Sequence, residues 1–360
     1  MALRVAQVCG IWFWLAFAFF LFVIFHQSNL VLPTPNLDAP SKLHPSISSS
    51  SKPLTIQQRI SRSESAWRTS VSLRHEMASD HPKYPHIPLF PAQKLSDFSK
   101  TPYTLWDFFP ATWTCPHDIQ RVGRLGDGGK WVCGMSLYEK YLPSSSSSSS
   151  ASTISSSSSS PQTANPDEGD ITIYSFGVND ESTFEAEMLA RIPHAQIHAY
   201  DFSVSKFGPQ LSSSHATRAH FHKYGLGAKD IPSRTPPFYT LQTLMKQNNH
   251  SYIDILKIDI EGSEYTALDA FMDFHDEEGG GKGKLPIGQV MIELHLVDDE
   301  RVHFERFTKW WERLEKFGMR PTWFETNLLA VTLGEGKTDP RCVEYVWVNV
   351  KDERSILLGE

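Results

Sequence analysis

The sequence has 360 residues, of which 40% are hydrophobic and 21% are charged, close to the averages of globular proteins. These proportions exclude wholesale disorder, a collagen-like chain and a membrane protein with many spans as descriptions of the whole. The formal net charge of -7 disfavours a nucleic-acid partner, because affinity for phosphates rests on clustered Lys and Arg.

An uncharged apolar run near the start of the chain predicts a membrane anchor. It occupies residues 8–25, which at about 1.5 Å per residue can cross a thin bilayer as a helix. No small-residue cleavage site follows it, and a cleaved signal peptide is the alternative. Arg4 precedes the run and Lys42 is the first Lys or Arg after it, so residues 1–7 are expected in the cytosol. The sequence thus predicts a single-pass type II membrane protein whose bulk faces the lumen of the endoplasmic reticulum or Golgi.

Two stretches have compositions that bury too little apolar surface to offset the entropy of ordering. Residues 26–100 are rich in Pro and Ser and are predicted to form a stem. Four of its apolar residues mark either a short helix or scattered solvated side chains, namely Ile56, Ile60, Trp67 and Val71. Residues 144–160 are almost pure Ser and are predicted to be a disordered insertion. The folded domain is therefore expected at 101–350, with a tail at 351–360.

A β-hairpin flap is predicted at the start of this domain. Asp127-Gly128-Gly129 is a turn signal between two short strand-like runs. If the domain is lumenal, Cys115 and Cys133 are candidate disulfide partners, with unpaired thiols as the alternative. The sequon Asn249-His250-Ser251 agrees with a lumenal location.

Beyond Asp170, short apolar runs alternate with amphipathic stretches, a pattern typical of βαβ units and a mainly parallel sheet. The predicted strands are 171–176, 196–200, 219–224, 253–258, 288–294, 319–325 and 342–348. The predicted helices are 182–191, 241–247, 264–274 and 303–317. A capping box from Ser182 to Glu185 is expected to open the first of these helices. These elements predict a doubly wound α/β domain, which binds ligands at the carboxyl ends of its strands beside the switch point.

The turn after the first of these strands bears on the cofactor. It has one glycine, Gly177, where a dinucleotide site carries three, so NAD is a poor fit. Asp180 and Glu181 would repel phosphate and suit a cationic ligand, although capping of the next helix also accounts for them. Asp201 ends the second strand 24 residues after Gly177, where an acid commonly holds ribose hydroxyls; a loop-capping role is the alternative.

Charged side chains cluster at the ends of two later strands. The strand period of two puts Lys257, Asp259 and Glu261 on one face, and Glu293 and His295 on one face of the next strand. If the strands are neighbours, three acids and an imidazole meet at one cleft edge. We interpret these four as catalytic, with His295 or Asp259 as general base. Asp259 and Glu261 are the candidates for a divalent metal, and a Lys257–Glu293 ion pair is the structural alternative for two of the five residues.

The chain resembles the FkbM-like, methyltransferase-like 24 type family of S-adenosylmethionine (SAM) dependent methyltransferases over roughly residues 113–348. The motifs that carry the resemblance are Gly-Asp-Gly-Gly-Lys at 126–130, Tyr-Ser-Phe-Gly-Val-Asn-Asp at 174–180, Leu-Lys-Ile-Asp-Ile-Glu-Gly-Ser-Glu at 256–264 and Ile-Glu-Leu-His at 292–295.

The resemblance implies a class I methyltransferase fold with a seven-stranded doubly wound sheet, and SAM as the methyl donor. It implies Asp201 at the ribose and Asp259 to Glu261 along the catalytic cleft. The turn residues that it implies against the methionyl part are Ser175, Gly177, Asn179 and Asp180. Ser175 departs from the acid that many methyltransferases carry before this glycine. Relatives often methylate hydroxyl oxygens.

The leading hypothesis is therefore a membrane-anchored methyltransferase that acts on a glycan or other small acceptor of the secretory pathway. One alternative is a type II Golgi glycosyltransferase that uses Asp259-Ile-Glu261 with a metal; competition between a UDP-sugar and SAM would discriminate the two. Another is an anchored binding module of the same fold without catalysis, which absence of SAM binding would favour.

Overall fold

A computed structural model describes residues 52–79, 102–142, 169–279, 283–296, 302–331 and 340–359. The predicted anchor at 8–25 and the Ser-rich insertion at 144–160 lie outside these residues. Within the described ranges, no helix combines the length and the apolar character needed to cross a bilayer. The described residues from Leu54 onward belong to one unit.

The helices and strands of this unit, in chain order, are as follows. The helices are α1 (Ile56–Ala78), α2 (Met135–Lys140), α3 (Thr183–Arg191), α4 (Leu241–Gln247), α5 (Glu264–Gly279), α6 (Phe304–Lys316) and α7 (Leu328–Val331). The strands are β1 (Ile119–Val122), β2 (Lys130–Cys133), β3 (Ile171–Phe176), β4 (Ala195–Tyr200), β5 (Ala219–His222), β6 (Gly225–Leu226), β7 (Phe238–Tyr239), β8 (Ile253–Ile258), β9 (Ile287–His295), β10 (Met319–Thr326) and β11 (Cys342–Asn349).

Seven strands form the main sheet in the order β10-β11-β9-β8-β3-β4-β5. All pairs from β9 to β5 are parallel, whereas β11 is antiparallel to both of its neighbours. Strands β3, β8 and β9 are buried along their whole length, which explains their nearly continuous apolar sequences. The predicted seven-stranded, doubly wound sheet is confirmed. The chain order reverses between β3 and β8, so the switch point lies where these two strands end.

The predicted capping box at the start of α3 is wrong. The Ser182 hydroxyl accepts a hydrogen bond from the Gly208 backbone N–H at 2.9 Å, rather than from the helix. The Glu185 carboxylate accepts one from the Ser175 hydroxyl at 2.6 Å. Both side chains are buried, so tertiary contacts take the hydrogen bonds that the local pattern assigned to a cap. The other predicted elements differ only at their ends; β5, for example, ends at His222 rather than at residue 224.

The predicted hairpin is confirmed, since β1 and β2 pair in antiparallel fashion. The Cys115–Cys133 disulfide joins the segment before the hairpin to the end of β2. Gln289 of β9 fixes β2 to the main sheet: its amide oxygen accepts the Cys133 N–H at 3.1 Å, and its amide nitrogen donates to the Cys133 carbonyl at 3.0 Å. The hairpin is therefore held to the domain and is not a free flap.

Helix α1 lies within the predicted stem at 26–100 and agrees with the helical alternative left open for Ile56, Ile60, Trp67 and Val71, but it is longer and packs on the folded domain. It begins with a capping box in which the Thr55 hydroxyl accepts the Gln58 N–H and the Gln58 side chain accepts the Thr55 N–H. The Trp67 indole donates to Glu315 Oε1 at 2.9 Å, and buried Arg74 lies 2.6 Å from Glu315 Oε2. Helix α1 can be ordered despite its polar composition, because it is long enough to form its backbone hydrogen bonds and one of its faces packs on α6.

A second set of contacts ties α1 to the start of β10. The Arg320 guanidinium donates to Glu64 at 2.8 Å and stacks over the Trp67 ring at 3.5 Å from its centroid.

The residues predicted as a tail at 351–360 also pack on the domain, because Asp352 and Leu357 have no exposed surface. The domain therefore extends beyond the predicted 101–350 at both ends.

Candidate functional site

A cleft of about 790 Å³ opens at the carboxyl ends of the parallel strands. This volume falls in the range of roughly 300–1,000 Å³ typical of small-molecule sites. All but one of the predicted site residues line it, namely Gly177, Asn179, Asp180, Asp201, Asp259, Glu261, Glu293 and His295. The residues predicted for a cofactor and those predicted for catalysis therefore share one cleft.

Gly177 brings the two halves of the cleft together at the switch point. Its φ of +73° is in the left-handed region, and a Cβ atom there would lie 1.7 Å from the Asp259 carbonyl oxygen. The Asp259 N–H donates to the Phe176 carbonyl at 3.2 Å, and Lys257 Nζ donates to the Gly177 carbonyl at 3.0 Å. The close approach of the two chain segments requires glycine at this position.

Ser175 is the predicted cofactor residue that the cleft lining does not include. It has no exposed surface, and its hydroxyl donates to Glu185 Oε1. Glu185 Oε1 also lies 3.7 Å from Lys257 Nζ. Strand alternation thus turns Ser175 toward α3, where it supports the turn indirectly. Lys257 pairs with Glu185 instead of Glu293, so the predicted alternative ion pair is wrong.

Asp201 has the loop-capping role that the sequence analysis gave as the alternative, and it also lines the cleft. Its Oδ2 accepts the Asn179 N–H at 2.8 Å, and its Oδ1 accepts the Ser203 N–H at 2.7 Å. Burial raises the pKa of Asp201, but these hydrogen bonds outweigh it and lower the pKa overall. Asp201 is therefore an ionised residue that ties two loops together while lining the cleft.

The structure brings the predicted acids and His295 together at the ends of β8 and β9. His295 Nε2 lies 3.9 Å from Asp259 Oδ1 and 3.5 Å from Glu261 Oε2. Glu261 reaches this position differently from the prediction, because β8 ends at Ile258 and Glu261 lies in a turn with a φ of +55°. Its side chain is 82% exposed, so it forms the rim of the cleft and not its floor.

Glu264 is a site residue that the sequence analysis missed. It is fully buried, and its Oε1 lies 2.8 Å from His295 Nδ1 and accepts the Ile260 N–H at 3.1 Å. Burial lowers the pKa of His295, but the hydrogen bond to Glu264 and the charges of the nearby acids outweigh it and raise the pKa to about 9. Glu264 thereby orients the ring so that Nε2 faces the cleft. Its place in the first turn of α5 resembled an ordinary helix-dipole residue, which concealed this role.

Lys130 is the second missed residue. Its side chain has no exposed surface, and Nζ lies 3.0 Å from Asp259 Oδ2, 4.0 Å from Glu293 Oε2 and within hydrogen-bonding distance of Glu344. Burial raises the pKa of Asp259, but the charges of Lys130, Lys257 and His295 lower it overall. Burial and the charges of Asp259 and Glu344 raise the pKa of Glu293. In this cleft, Asp259 therefore loses its proton more readily than Glu293 does.

Three sets of side chains in the described residues have donor atoms within 4.8 Å of one another, as a metal ion would require. These sets are Asp259 with Glu261 and His295, Asp127 with Asp259 and Glu293, and Glu293 with His295 and Cys342. Carboxylate oxygens suit Mg²⁺ or Mn²⁺. Lys130 already supplies a positive charge to Asp259 Oδ2, so a metal ion would have to share this carboxylate with the ammonium group.

Comparison with known proteins relates the chain to methyltransferases. A family model described as a methyltransferase domain matches residues 64–333. No curated protein matches the chain. Among solved structures, the Methanococcus jannaschii fibrillarin pre-rRNA processing protein is 13% identical, with a TM-score of 0.29; 50% of this chain and 66% of that chain are covered.

Two further solved structures are similar to about half of the chain. Precorrin-6y C5,15-methyltransferase from Geobacter metallireducens is 14% identical, with a TM-score of 0.26 over 50% of this chain and 79% of that chain. An O-methyltransferase family protein from Burkholderia thailandensis is 11% identical, with a TM-score of 0.26 over 51% of this chain and 52% of that chain. The chain thus spans about two thirds, four fifths and half of these three proteins, respectively.

Proposed function

The chain belongs to the family of methyltransferase domains whose model matches residues 64–333, and on this premise we propose that it transfers a methyl group from SAM to a hydroxyl oxygen. One observation carries the proposal. A glycine turn and an ionised Asp201 lie in the same cleft as an imidazole that a buried Glu264 orients. The FkbM-like subtype predicted from the motifs is part of this proposal.

The residues on one side of the cleft fit SAM. Gly177 leaves the backbone bare at the switch point, and Asp201 is positioned to accept ribose hydroxyls. Asp180 and Glu181 line the same side, where their charges favour a cation over a phosphate. When bound, SAM supplies an electrophilic methyl group on a positively charged sulfur.

The residues on the other side fit the removal of a proton from the acceptor. His295 Nε2 faces the cleft, and as a neutral imidazole it accepts the hydroxyl proton. Asp259 and Glu261 stabilise the imidazolium that forms, and Glu264 keeps the ring in place. Asp259 is the weaker base of the two predicted candidates, because its neighbours lower its pKa.

The pKa of His295 predicts that activity rises with pH. With a pKa of about 9, only about 1% of the imidazole is neutral at pH 7, so kcat/KM for the acceptor should increase about tenfold per pH unit and level off near pH 9.

The raised pKa of His295 also predicts that the stability of the fold decreases as pH rises. It stabilises the fold below the ordinary value of 6.5, and this contribution is lost as pH rises through about 9. Thermal unfolding over the same pH range measures it.

Glu293→Gln is the control for this prediction, since the raised pKa of Glu293 makes it a second group able to titrate there. A rate that rises with pH in this variant but not in His295→Gln assigns the titration to His295. A flat profile in the wild-type protein would remove His295 as the base.

Replacement of Asp201 tests the cofactor side. We expect Asp201→Ala to weaken SAM binding by about 1–3 kcal/mol, the usual scale for a lost hydrogen bond to a charged group. Asp230→Ala is a matched control, because Asp230 also caps a loop, through the Thr240 N–H at 2.7 Å, but is not among the cleft residues. Calorimetry of both variants measures the difference. Equal SAM affinity in both would remove Asp201 from the binding site.

We further propose that the domain is lumenal, anchored by residues 8–25, and that its acceptor is a glycan or another small hydroxyl compound. The Cys115–Cys133 disulfide supports this location, because disulfides persist in oxidising compartments. Asn249 of the sequon is exposed, as glycosylation requires. In cells, an endoglycosidase-sensitive mass shift that Asn249→Gln abolishes would support a lumenal domain, and digestion of the domain by protease added to sealed microsomes would contradict it.

The overall function is tested with the full chain in detergent. Calorimetry should show binding of SAM, and no binding of NAD or a UDP-sugar. Incubation with labelled SAM and a membrane-glycan extract should then label an acceptor, whose identification gives the substrate. Absence of SAM binding would overturn the proposal.

A further inference from the structure

Lys130 reaches the cleft floor from outside the parallel strands. It begins β2, whose other end is joined to Cys115 by the disulfide and to β9 by Gln289. Its side chain has no exposed surface and is not among the residues that line the cleft. A buried lysine must be paired to stay charged, so its partners define its role.

One role is to compensate two acids that face each other. Glu293 of β9 and Glu344 of β11 are direct partners in the antiparallel ladder. Two acids directly opposite each other destabilise a sheet when both are ionised, and burial increases the cost. Lys130 Nζ contacts Glu344 and lies 4.0 Å from Glu293 Oε2. A cation at this point allows the pair of strands to carry both acids.

The second role concerns the orientation of Asp259. Lys130 Nζ binds Oδ2 of this carboxylate at 3.0 Å, whereas Oδ1 is the oxygen that lies 3.9 Å from His295 Nε2. Glu293 is held in a similar way, because its Oε1 accepts the Asn327 amide at 2.9 Å while Oε2 is the oxygen nearest Lys130. One oxygen of Asp259 is thus paired with Lys130, and the other is the one nearest the imidazole.

We propose that Lys130 is a positioning residue of the methyl-transfer site, which aims Asp259 Oδ1 at His295 without touching the acceptor. This inference rests on the proposed function. It extends the active site to the hairpin of β1 and β2, which contributes a cation within 4.0 Å of Asp259, Glu293 and Glu344.

Three variants separate positioning from a merely structural role. Glu344→Gln keeps Lys130 with Asp259, and Glu344 is not among the cleft residues, so kcat should stay within about threefold of wild type. Lys130→Met should lower kcat about a hundredfold, as expected for a misplaced catalytic group, with the KM for SAM nearly unchanged. Lys130→Met also leaves buried acids unpaired and is expected to lower the Tm.

The double variant Lys130→Met/Glu344→Gln decides between the two roles. It removes a buried ion pair from both sides, which often restores stability. If Lys130 positions Asp259, the Tm recovers while kcat stays about a hundredfold low. Recovery of kcat together with the Tm would show a structural role and overturn the inference.

A crystal structure of the double variant gives a readout that does not depend on activity. We expect the Asp259 carboxylate to rotate or become disordered relative to the wild-type protein. An unchanged Asp259 orientation would overturn the inference even if no acceptor is found. If the wild-type protein fails to bind SAM, the proposed function fails, while the orientation of Asp259 still tests the role of Lys130.

Discussion

His295→Ala and Asp259→Asn, made separately, are each expected to lower turnover by roughly a hundredfold or more, with SAM affinity near wild type. The first variant removes the ring nitrogen that faces the cleft. The second removes the charge that lies 3.9 Å from that nitrogen and stabilises its protonated form. SAM affinity is expected to persist because the cofactor side of the cleft, at Gly177 and Asp201, is built from other segments. Single-turnover rates and calorimetry measure the two quantities independently.

His303→Ala is the matched control for this pair. His303 caps α6 through the Arg306 N–H and is not among the cleft residues, so its replacement should reduce stability slightly and leave turnover unchanged. Near-normal turnover in both His295→Ala and Asp259→Asn would contradict the assignment of these two residues to catalysis. Inhibition of the wild-type protein by EDTA would show in addition that a metal ion works with these residues.

Gly177→Ala is expected to abolish measurable SAM binding. The added Cβ would lie 1.7 Å from the Asp259 carbonyl oxygen, so the ends of β3 and β8 must separate. The φ of +73° adds a backbone penalty of about 1–2 kcal/mol for any residue with a Cβ. Both effects act at the switch point, where the cofactor and catalytic halves of the cleft meet.

Gly227→Ala provides the comparison for this variant. A Cβ at Gly227 would have its nearest neighbour, Phe238 Cδ1, at 3.5 Å, an ordinary contact. We expect this variant to bind SAM normally and Gly177→Ala to show no heat of binding, with a lower Tm. Wild-type affinity in Gly177→Ala would mean that the two strand ends can move apart without harm.

The sheet could be predicted from the sequence because its central strands are buried on both faces. Such strands have nearly continuous apolar sequences, and β3 and β8 begin and end where the pattern indicated. The acids beside them were predictable for the complementary reason that charge at the end of a buried strand rarely serves packing. Ser175 was assigned to the cofactor by resemblance, but alternation along β3 turns its side chain toward Glu185 of α3 and away from the cleft.

Lys130 and Glu264 could not be assigned to the site from sequence because their roles arise from tertiary contacts. Lys130 precedes Asp259 by 129 positions, and only the docking of the hairpin brings them together. Glu264 is four residues from Ile260, a spacing that also suits an ordinary helix start. The sequence analysis placed helix α1 in a stem because its mean composition is polar, whereas tertiary contacts with α6, β10 and the segment before β1 hold it on the domain.

The contacts of α1 set the limits of the smallest unit that can be expected to fold. A protein truncated to begin at residue 100 would lose the Trp67 and Arg74 partners of Glu315 and the Glu64 partner of Arg320. It would also uncover Trp113, whose indole donates to Glu64 at 3.1 Å. Expression of a soluble catalytic fragment should therefore begin before Thr55, so that the capping box of α1 is retained, and should extend past Leu357 at the other end.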